Sequence, residues 1–197
     1  PPRSTPLYSS AASDVYKRQI VNILNAITLT RILCAILIYF FLFLESQYLF
    51  ALLLFGFASF SDFLDGYVAR KTNNESVLGE ILDPIADKLL IVFVLIGLSV
   101  NLDSFLIGFI SAVIISREVW VAALRDINAR NNQSDKTKVT FLAKTKTAIQ
   151  MFAILMYLFG LTLNNMMVLF FADIILIIAL LVTIQTGFQY TISTFKK

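Results

Sequence analysis

Long apolar runs constrain this chain more than any other feature of its sequence. Several of them reach about 20 residues, the length that an α-helix needs to cross the hydrocarbon core of a bilayer. The chain is 58% hydrophobic with a mean hydropathy of +0.79, whereas soluble domains are closer to half apolar. A membrane β-barrel would alternate apolar and polar residues instead. We therefore expect an all-α integral membrane protein.

Polar breaks, such as NLD at 101–103 and NN at 164–165, divide the apolar sequence into six predicted transmembrane helices. The predicted spans are 20–44, 48–69, 80–100, 104–125, 140–162 and 167–190. Residues 1–19 are rich in proline and serine and have no apolar period. We expect these residues to be a disordered, foreign leader, followed by a membrane catalytic domain at 20–197.

The positions of the basic residues predict the topology. They lie before the first span, after the second, between the fourth and fifth, and at the C-terminal end, whereas the three opposite loops contain no lysine or arginine. The positive-inside rule then places both termini on the cytoplasmic side, in agreement with an even number of spans. Because the basic residues flank spans, the small net charge of +3 does not indicate a nucleic-acid partner.

The sequence lacks the residues that many catalytic sites use. It contains no histidine and one cysteine, Cys34, which lies in an apolar run. Internal disulfides, cysteine metal clusters, histidine bases and histidine metal sites are therefore excluded. Any catalysis must use carboxylates, hydroxyls, lysine or arginine.

Four aspartates surround the junction of the second and third predicted spans. The first two share a helix face with two small residues, at spacings i, i+3, i+4 and i+7: Asp62, Asp65, Gly66 and Ala69. The other two are one turn apart, and a glycine precedes them by one turn: Asp83, Asp87 and Gly79. A helical hairpin would bring the four carboxylates together beside small residues that leave room for a ligand.

The four carboxylates would be very unfavourable at membrane depth unless cations neutralised them. With only oxygen ligands available, hard ions such as Mg²⁺ or Mn²⁺ fit, and two of them could clamp a pyrophosphate during an in-line displacement. Alternatively, the aspartates are solvated helix ends with ion pairs to Arg70 and Lys88. We favour the metal site because all four carboxylates are in register, with small residues between them.

The spacing of these residues resembles the signature of a known enzyme family. The pattern D-x2-D-G-x2-A-R-x8-G-x3-D-x3-D runs from Asp62 to Asp87 without a departure, and it is similar to the signature of the CDP-alcohol phosphotransferases. Its eight fixed positions are far more specific than a lone glycine-rich loop. The resemblance implies six transmembrane helices, a homodimer in the plasma (inner) membrane, a cytoplasmic-facing site with two metal ions, and attack of an alcohol on a CDP-linked lipid with release of CMP.

The resemblance also implies roles for individual residues. Metal would be bound by Asp62, Asp65, Asp83 and Asp87. Asp87 would in addition act as general base on the acceptor hydroxyl. The CDP-lipid site would include Asn25, Thr28, Gly66, Ala69, Arg70, Ser76 and Gly79.

The start of the first span carries a second element, NILNAITLTR. It is similar to the Asn-x-x-Thr element along the CDP site of the family, although Leu24 stands where a proline is common. Asn25, Thr28 and Arg31 fall within an arc of about 120° on a helix. Such residues indicate either a polar ligand or ordinary hydrogen bonds between helices.

Basic residues on the fourth and fifth spans indicate a phosphorylated acceptor. Arg117 and Arg125 lie two turns apart on one face, in the stretch SREVWVAALRDINAR. The predicted acceptor-phosphate site consists of Arg31, Arg117, Arg125, Lys144 and Lys146. This stretch and FLAKTKTAIQ resemble elements of the phosphatidylglycerophosphate synthases within the family, with departures at Ser116 and Ala143. The resemblance implies CDP-diacylglycerol as donor and glycerol 3-phosphate as acceptor, although Arg117 and Glu118 could simply form an ion pair.

Two other functions stay open from the sequence. The same chemistry could use inositol phosphate, phosphatidylglycerol, serine or an amino alcohol as acceptor. A cation transporter could use the aspartates as an ion path, but it would spread them through the membrane depth. The sixth span adds only hydrophobicity and Asp173, for which we expect a polar contact between helices.

Overall fold

The computed structural model describes residues 7–44, 47–72, 77–131 and 141–196, with side chains at 25–44, 47–62, 82–131 and 145–196. These residues form six α-helices and no strand. The helices are α1 (Leu7–Phe43), α2 (Tyr48–Thr72), α3 (Val77–Asn101), α4 (Phe105–Arg130), α5 (Phe141–Leu163) and α6 (Met166–Phe195). The all-α prediction is confirmed for this part of the chain, and each predicted span falls on one helix.

The first and third helices begin earlier than predicted. Helix α1 begins at Leu7, so part of the segment that we expected to be disordered is helical, while residues 1–6 lie outside the description. The prolines of that segment precede Leu7, and no proline or glycine follows until after Phe43, so nothing in the stretch breaks a helix. Helix α3 begins at Val77 and contains Pro84 in its interior.

Two short turns at the end opposite the aspartates match the predicted breaks at NLD and NN. Asp103 and Asn164 have φ angles of 46° and 50°, a left-handed conformation that Asp and Asn tolerate because their side chains bond locally. The next residues cap the following helices. Ser104 accepts a hydrogen bond from the Ile107 amide, and Asn165 accepts from two amides of α6.

The packing brings together helices that are distant in sequence. Helix α1 packs most extensively against α3, and α5 against α6, while α4 contacts α6 and α3. Apolar side chains fill the centre of the bundle, among them Ile38, Leu42, Phe55, Leu90, Leu95, Leu98, Ile110, Leu158 and Leu176. As a result, the polar residues Thr28 and Arg31 of α1 face the aspartates of α3, and α6 faces the arginines of α4.

Among the residues with described side chains, four helices are long and apolar enough to cross a membrane: their stretches are Asn25–Phe43, Phe105–Arg130, Thr145–Thr162 and Met166–Phe195. In α2 the apolar stretch within the described side chains is shorter, Tyr48–Asp62, and α3 carries charged residues in its first half. Large apolar side chains, such as Phe105 and Met166, face outward. By length and composition, the chain is a multi-pass membrane protein.

Candidate active site

Three helices meet at a buried arginine between two of the predicted metal-binding aspartates. Arg31 of α1 is 1% exposed, and its Nη1 atom lies 3.1 Å from Oδ1 of Asp62 in α2 and 2.9 Å from Oδ1 of Asp87 in α3. Both carboxylates keep some solvent exposure. Because both distances end on one nitrogen, the two carboxylates converge on a single cationic position.

The third described aspartate is held by the same helix. Thr28, which is 2% exposed, donates a hydrogen bond of 2.7 Å from its hydroxyl to Oδ1 of Asp83. Thr28 precedes Arg31 by one turn of α1, and Asp83 precedes Asp87 by one turn of α3. Residue numbers therefore rise in the same direction along both helices from one contact to the next, so α1 and α3 run parallel. Helix α2, which connects them, runs in the opposite direction.

The structure brings part of the predicted donor and metal site together. Asn25 lies one turn before Thr28 on α1 and is half-buried. Some predicted residues lie on helical backbone whose side chains are outside the description: Asp65, Gly66, Ala69, Arg70 and Gly79. Ser76 lies outside the described residues. The metal-binding role of all four aspartates and the CDP-lipid contacts therefore stay predictions.

The donor chemistry of this cluster suits a hard divalent cation. Among the described side chains, no group of three or more acidic, cysteine or histidine residues is close enough to hold a metal ion. Asp62 and Asp87, however, already point at one positive charge, and carboxylate oxygens are the ligands that Mg²⁺ prefers. A divalent cation would compete with Arg31 for the same oxygens.

A cavity of about 570 Å³ adjoins Asp87 between α3, α4 and α5. Its lining includes four cationic and two acidic side chains: Lys88, Arg117, Arg125, Lys146, Asp87 and Glu118. The cations outnumber the acids, so the cavity favours an anionic ligand. Three of the five residues predicted to bind the acceptor phosphate line this cavity. The Lys144 side chain lies outside the description, and Arg31 lies with the aspartates instead.

Glu118 joins two of the cavity cations. The Arg117 Nη1 atom donates to Glu118 Oε1 at 2.8 Å, and Lys146 of α5 pairs with the same oxygen. The ion pair between neighbours in sequence, which the sequence left open as an alternative, is therefore present, and it also includes Lys146. Glu118 neutralises part of the positive charge and fixes both cations at the wall of the cavity.

Helix α6 contributes contacts that the sequence analysis missed. Thr186 accepts a hydrogen bond of 2.8 Å from Nη2 of Arg117, and Thr183 accepts one of 3.0 Å from Gln150, which lines the cavity. Because Gly187 has no side chain, the backbone of α6 can approach Arg117. A Cβ added at Gly187 would lie 3.0 Å from Cγ of Arg117. The missed signal was a polar and small face at helical spacing, namely Thr183, Thr186, Gly187, Tyr190 and Thr194.

Asp173 forms the polar contact between helices that we expected. Tyr157 of α5, which is buried, donates its hydroxyl to Asp173 of α6. The pair lies toward the opposite end of α6 from the cavity contacts. It belongs to the packing of α5 against α6 rather than to the candidate site.

Known proteins are similar in sequence to this chain over most of its length. The sequence model of the CDP-alcohol phosphatidyltransferase family matches residues 21–185. A protein of Rickettsia bellii named CDP-diacylglycerol–glycerol-3-phosphate 3-phosphatidyltransferase is 40% identical over 172 residues, covering 86% of this chain and 93% of that protein. A protein of the same name from Haemophilus influenzae is 36% identical over 153 residues, covering 77% and 80%. This chain therefore belongs to the CDP-alcohol phosphatidyltransferase family.

Proposed function

We propose that this enzyme transfers a phosphatidyl group from CDP-diacylglycerol to glycerol 3-phosphate, with phosphatidylglycerophosphate and CMP as products. The observation that carries the proposal is that Asp87 lines one cavity together with Arg117, Arg125 and Lys146. A carboxylate base and a set of phosphate-binding cations in one cavity fit an acceptor with both a hydroxyl and a phosphate. The names of the two relatives described above support the same pair of substrates.

The acceptor would bind with its phosphate at the basic end of the cavity and its sn-1 hydroxyl at Asp87. Arg117 and Arg125 offer planar donors that match phosphate oxygens, and Lys146 adds a compact charge. Lys144 would extend this end of the site. This arrangement places an anionic acceptor better than a neutral alcohol, which would leave the excess positive charge of the cavity unbalanced.

In the reaction, Asp87 takes the proton of the acceptor hydroxyl. The acceptor oxygen forms a bond to the lipid-linked phosphorus of CDP-diacylglycerol. The bond between this phosphorus and the bridging oxygen of the pyrophosphate breaks, and CMP leaves with that oxygen. Since proton and bond changes balance, no further reactant is needed.

Divalent cations, Mg²⁺ or Mn²⁺ and two in number, would be held by Asp62, Asp65, Asp83 and Asp87. When bound, they would offset negative charge on the pyrophosphate and acidify the acceptor hydroxyl. Arg31 supplies positive charge to Asp62 and Asp87. We propose it as the residue that orients these carboxylates, in addition to the predicted contact with the acceptor phosphate.

The donor lipid would lie along the first three helices. Its CDP group would contact Asn25, Thr28, Gly66, Ala69, Arg70, Ser76 and Gly79, and its acyl chains would stay in the bilayer. We propose six membrane crossings, both termini and the site on the cytoplasmic side of the inner membrane, and a homodimer. The apolar outer faces of the helices support lipid contact, and the placement of basic residues supports the orientation.

An acceptor panel tests the function. Purified protein in detergent with CDP-diacylglycerol and Mg²⁺ should release CMP with glycerol 3-phosphate. Inositol phosphate, phosphatidylglycerol and serine should give little or none. Release of CMP with another alcohol alone would overturn the choice of acceptor. Metal flux in proteoliposomes without CMP release under any condition would replace the enzyme with a transporter.

Asp87→Asn tests the base. The variant should lose CMP release by at least about 100-fold, the usual contribution of a general base, and should keep its fold, seen as a cooperative thermal unfolding transition. Asp103→Asn is the matched control, because Asp103 lies in the opposite turn with φ 46° and Asn tolerates that conformation. Wild-type turnover in Asp87→Asn would remove this residue as base.

A further inference from the structure

One aromatic ring of α6 lies against both arginines of the cavity. The ring of Tyr190 is 5.8 Å from Cζ of Arg117 and 5.6 Å from Cζ of Arg125, measured to the ring centroid. Guanidinium groups within about 6 Å of an aromatic face are attracted by the ring quadrupole. Tyr190 is itself only 4% exposed, so its ring is a fixed surface for both side chains.

The two arginines differ in what else holds them. Arg117 is buried and donates to Glu118 and to Thr186. Arg125 is exposed. Within the described residues, its guanidinium contacts the ring of Tyr190. No described carboxylate lies within ion-pair distance of Arg125. Its orientation therefore depends on Tyr190 far more than that of Arg117 does.

A neutral ring suits this position better than a carboxylate would. Glu118 orients Arg117 and Lys146, but it also neutralises charge that a phosphate would use. The ring of Tyr190 restricts Arg125 and leaves its full charge and its donors for a ligand. Holding a flexible side chain before binding lowers the entropy that the ligand must overcome.

We propose, on the basis of the proposed function, that Tyr190 is a positioning residue that presents Arg125, and with it Arg117, to the phosphate of the acceptor. Helix α6 then determines affinity for a phosphorylated acceptor although, among the described residues, it contributes none to the cavity lining. Tyr190 also packs with Val121 and Leu124, so the experiment must separate positioning from packing.

Three variants make that separation. Tyr190→Phe keeps the ring and Tyr190→Leu removes it. Phe188→Leu removes an outward-facing ring, 67% exposed, from the same helix. Tyr190→Leu should raise KM for glycerol 3-phosphate about tenfold, which corresponds to about 1.4 kcal/mol, with kcat and the KM for CDP-diacylglycerol close to wild type. Tyr190→Phe and Phe188→Leu should match the wild type in all three constants.

A second measurement avoids the packing change altogether. Fluorinated phenylalanines at position 190 weaken the ring quadrupole at nearly constant size. KM for glycerol 3-phosphate should rise with each added fluorine in comparison with Tyr190→Phe, while the midpoint of thermal unfolding stays constant. This series remains decisive if Tyr190→Leu does not fold.

The outcomes distinguish this inference from the proposed function. If the wild type releases no CMP with glycerol 3-phosphate, the proposed function fails. If the wild type is active and fluorination leaves KM for glycerol 3-phosphate unchanged, the positioning role of Tyr190 alone is overturned. An equal loss of kcat and of both affinities in Tyr190→Leu, together with a flat fluorine series, would assign Tyr190 to packing.

Discussion

Gly187→Ala is expected to disturb the acceptor site through a single added methyl group. The new Cβ would lie 3.0 Å from Cγ and 3.5 Å from Nε of Arg117, whereas carbon atoms pack best at about 3.5–4.0 Å. Arg117 must therefore withdraw by about half an ångström, or α6 must move away by the same amount. Since Thr186 precedes Gly187 in α6 and accepts from Arg117, either movement strains that hydrogen bond.

The expected magnitude follows from that hydrogen bond. A hydrogen bond to a charged group contributes about 1.5–3 kcal/mol, and lengthening it forfeits part of this, about 1–2 kcal/mol. Such a loss corresponds to about a 5- to 30-fold change in an equilibrium. KM for glycerol 3-phosphate should therefore rise by about that factor, whereas KM for CDP-diacylglycerol should stay at the wild-type value. CMP release at varied acceptor and saturating donor measures both constants.

Gly56→Ala is the matched control, because nothing lies within 4 Å of a Cβ added at this helical position in α2. It should leave both KM values unchanged and raise the unfolding free energy by about 1 kcal/mol through helix propensity. In Gly187→Ala the crowding should offset this gain. A Gly187→Ala enzyme with wild-type KM for glycerol 3-phosphate and the same gain in stability as the control would refute the reasoning.

Two further predictions concern buried polar groups. Arg31→Gln removes the guanidinium shared by Asp62 and Asp87, so the unfolding free energy in metal-free detergent solution should fall by about 1.5–3 kcal/mol; an unchanged value would mean that the pairs contribute nothing to stability. Tyr157→Phe leaves the carboxylate of Asp173 without its described donor and should lower the unfolding free energy by about 1–3 kcal/mol. KM for glycerol 3-phosphate should not change in this variant. An increase would show that the Tyr157–Asp173 pair affects the acceptor site.

The features predicted correctly are those that depend on nearby residues. The spacings of Asp83 and Asp87, and of Arg117 and Arg125, define shared faces because a helix has 3.6 residues per turn. The breaks at NLD and NN were predicted because Asp, Asn and Ser favour turns and caps. The helical start at Leu7 was missed, since the composition of the whole segment outweighed the absence of helix breakers after its prolines.

Contacts between distant helices were harder to predict. Arg31 was expected to contribute to the acceptor phosphate site, but its contacts with Asp62 and Asp87, which follow from the packing of α1 against α3, were not predicted. Apart from Asp173, the last span was interpreted as hydrophobic only. Its threonines, Gly187 and Tyr190 are spaced along one face. The function of that face becomes clear only from its contacts with the arginines of α4.

The sequence by itself determined that the chain is a bundle of apolar helices with an acidic centre and a basic centre, because hydropathy and helical periodicity are local properties. Only the tertiary structure decided which faces meet. It set α1 against the aspartates and α6 against the arginines through packing and hydrogen bonds between residues far apart in the chain. The identity of each partner across such a contact depends on the whole arrangement of helices, and no local spacing specifies it.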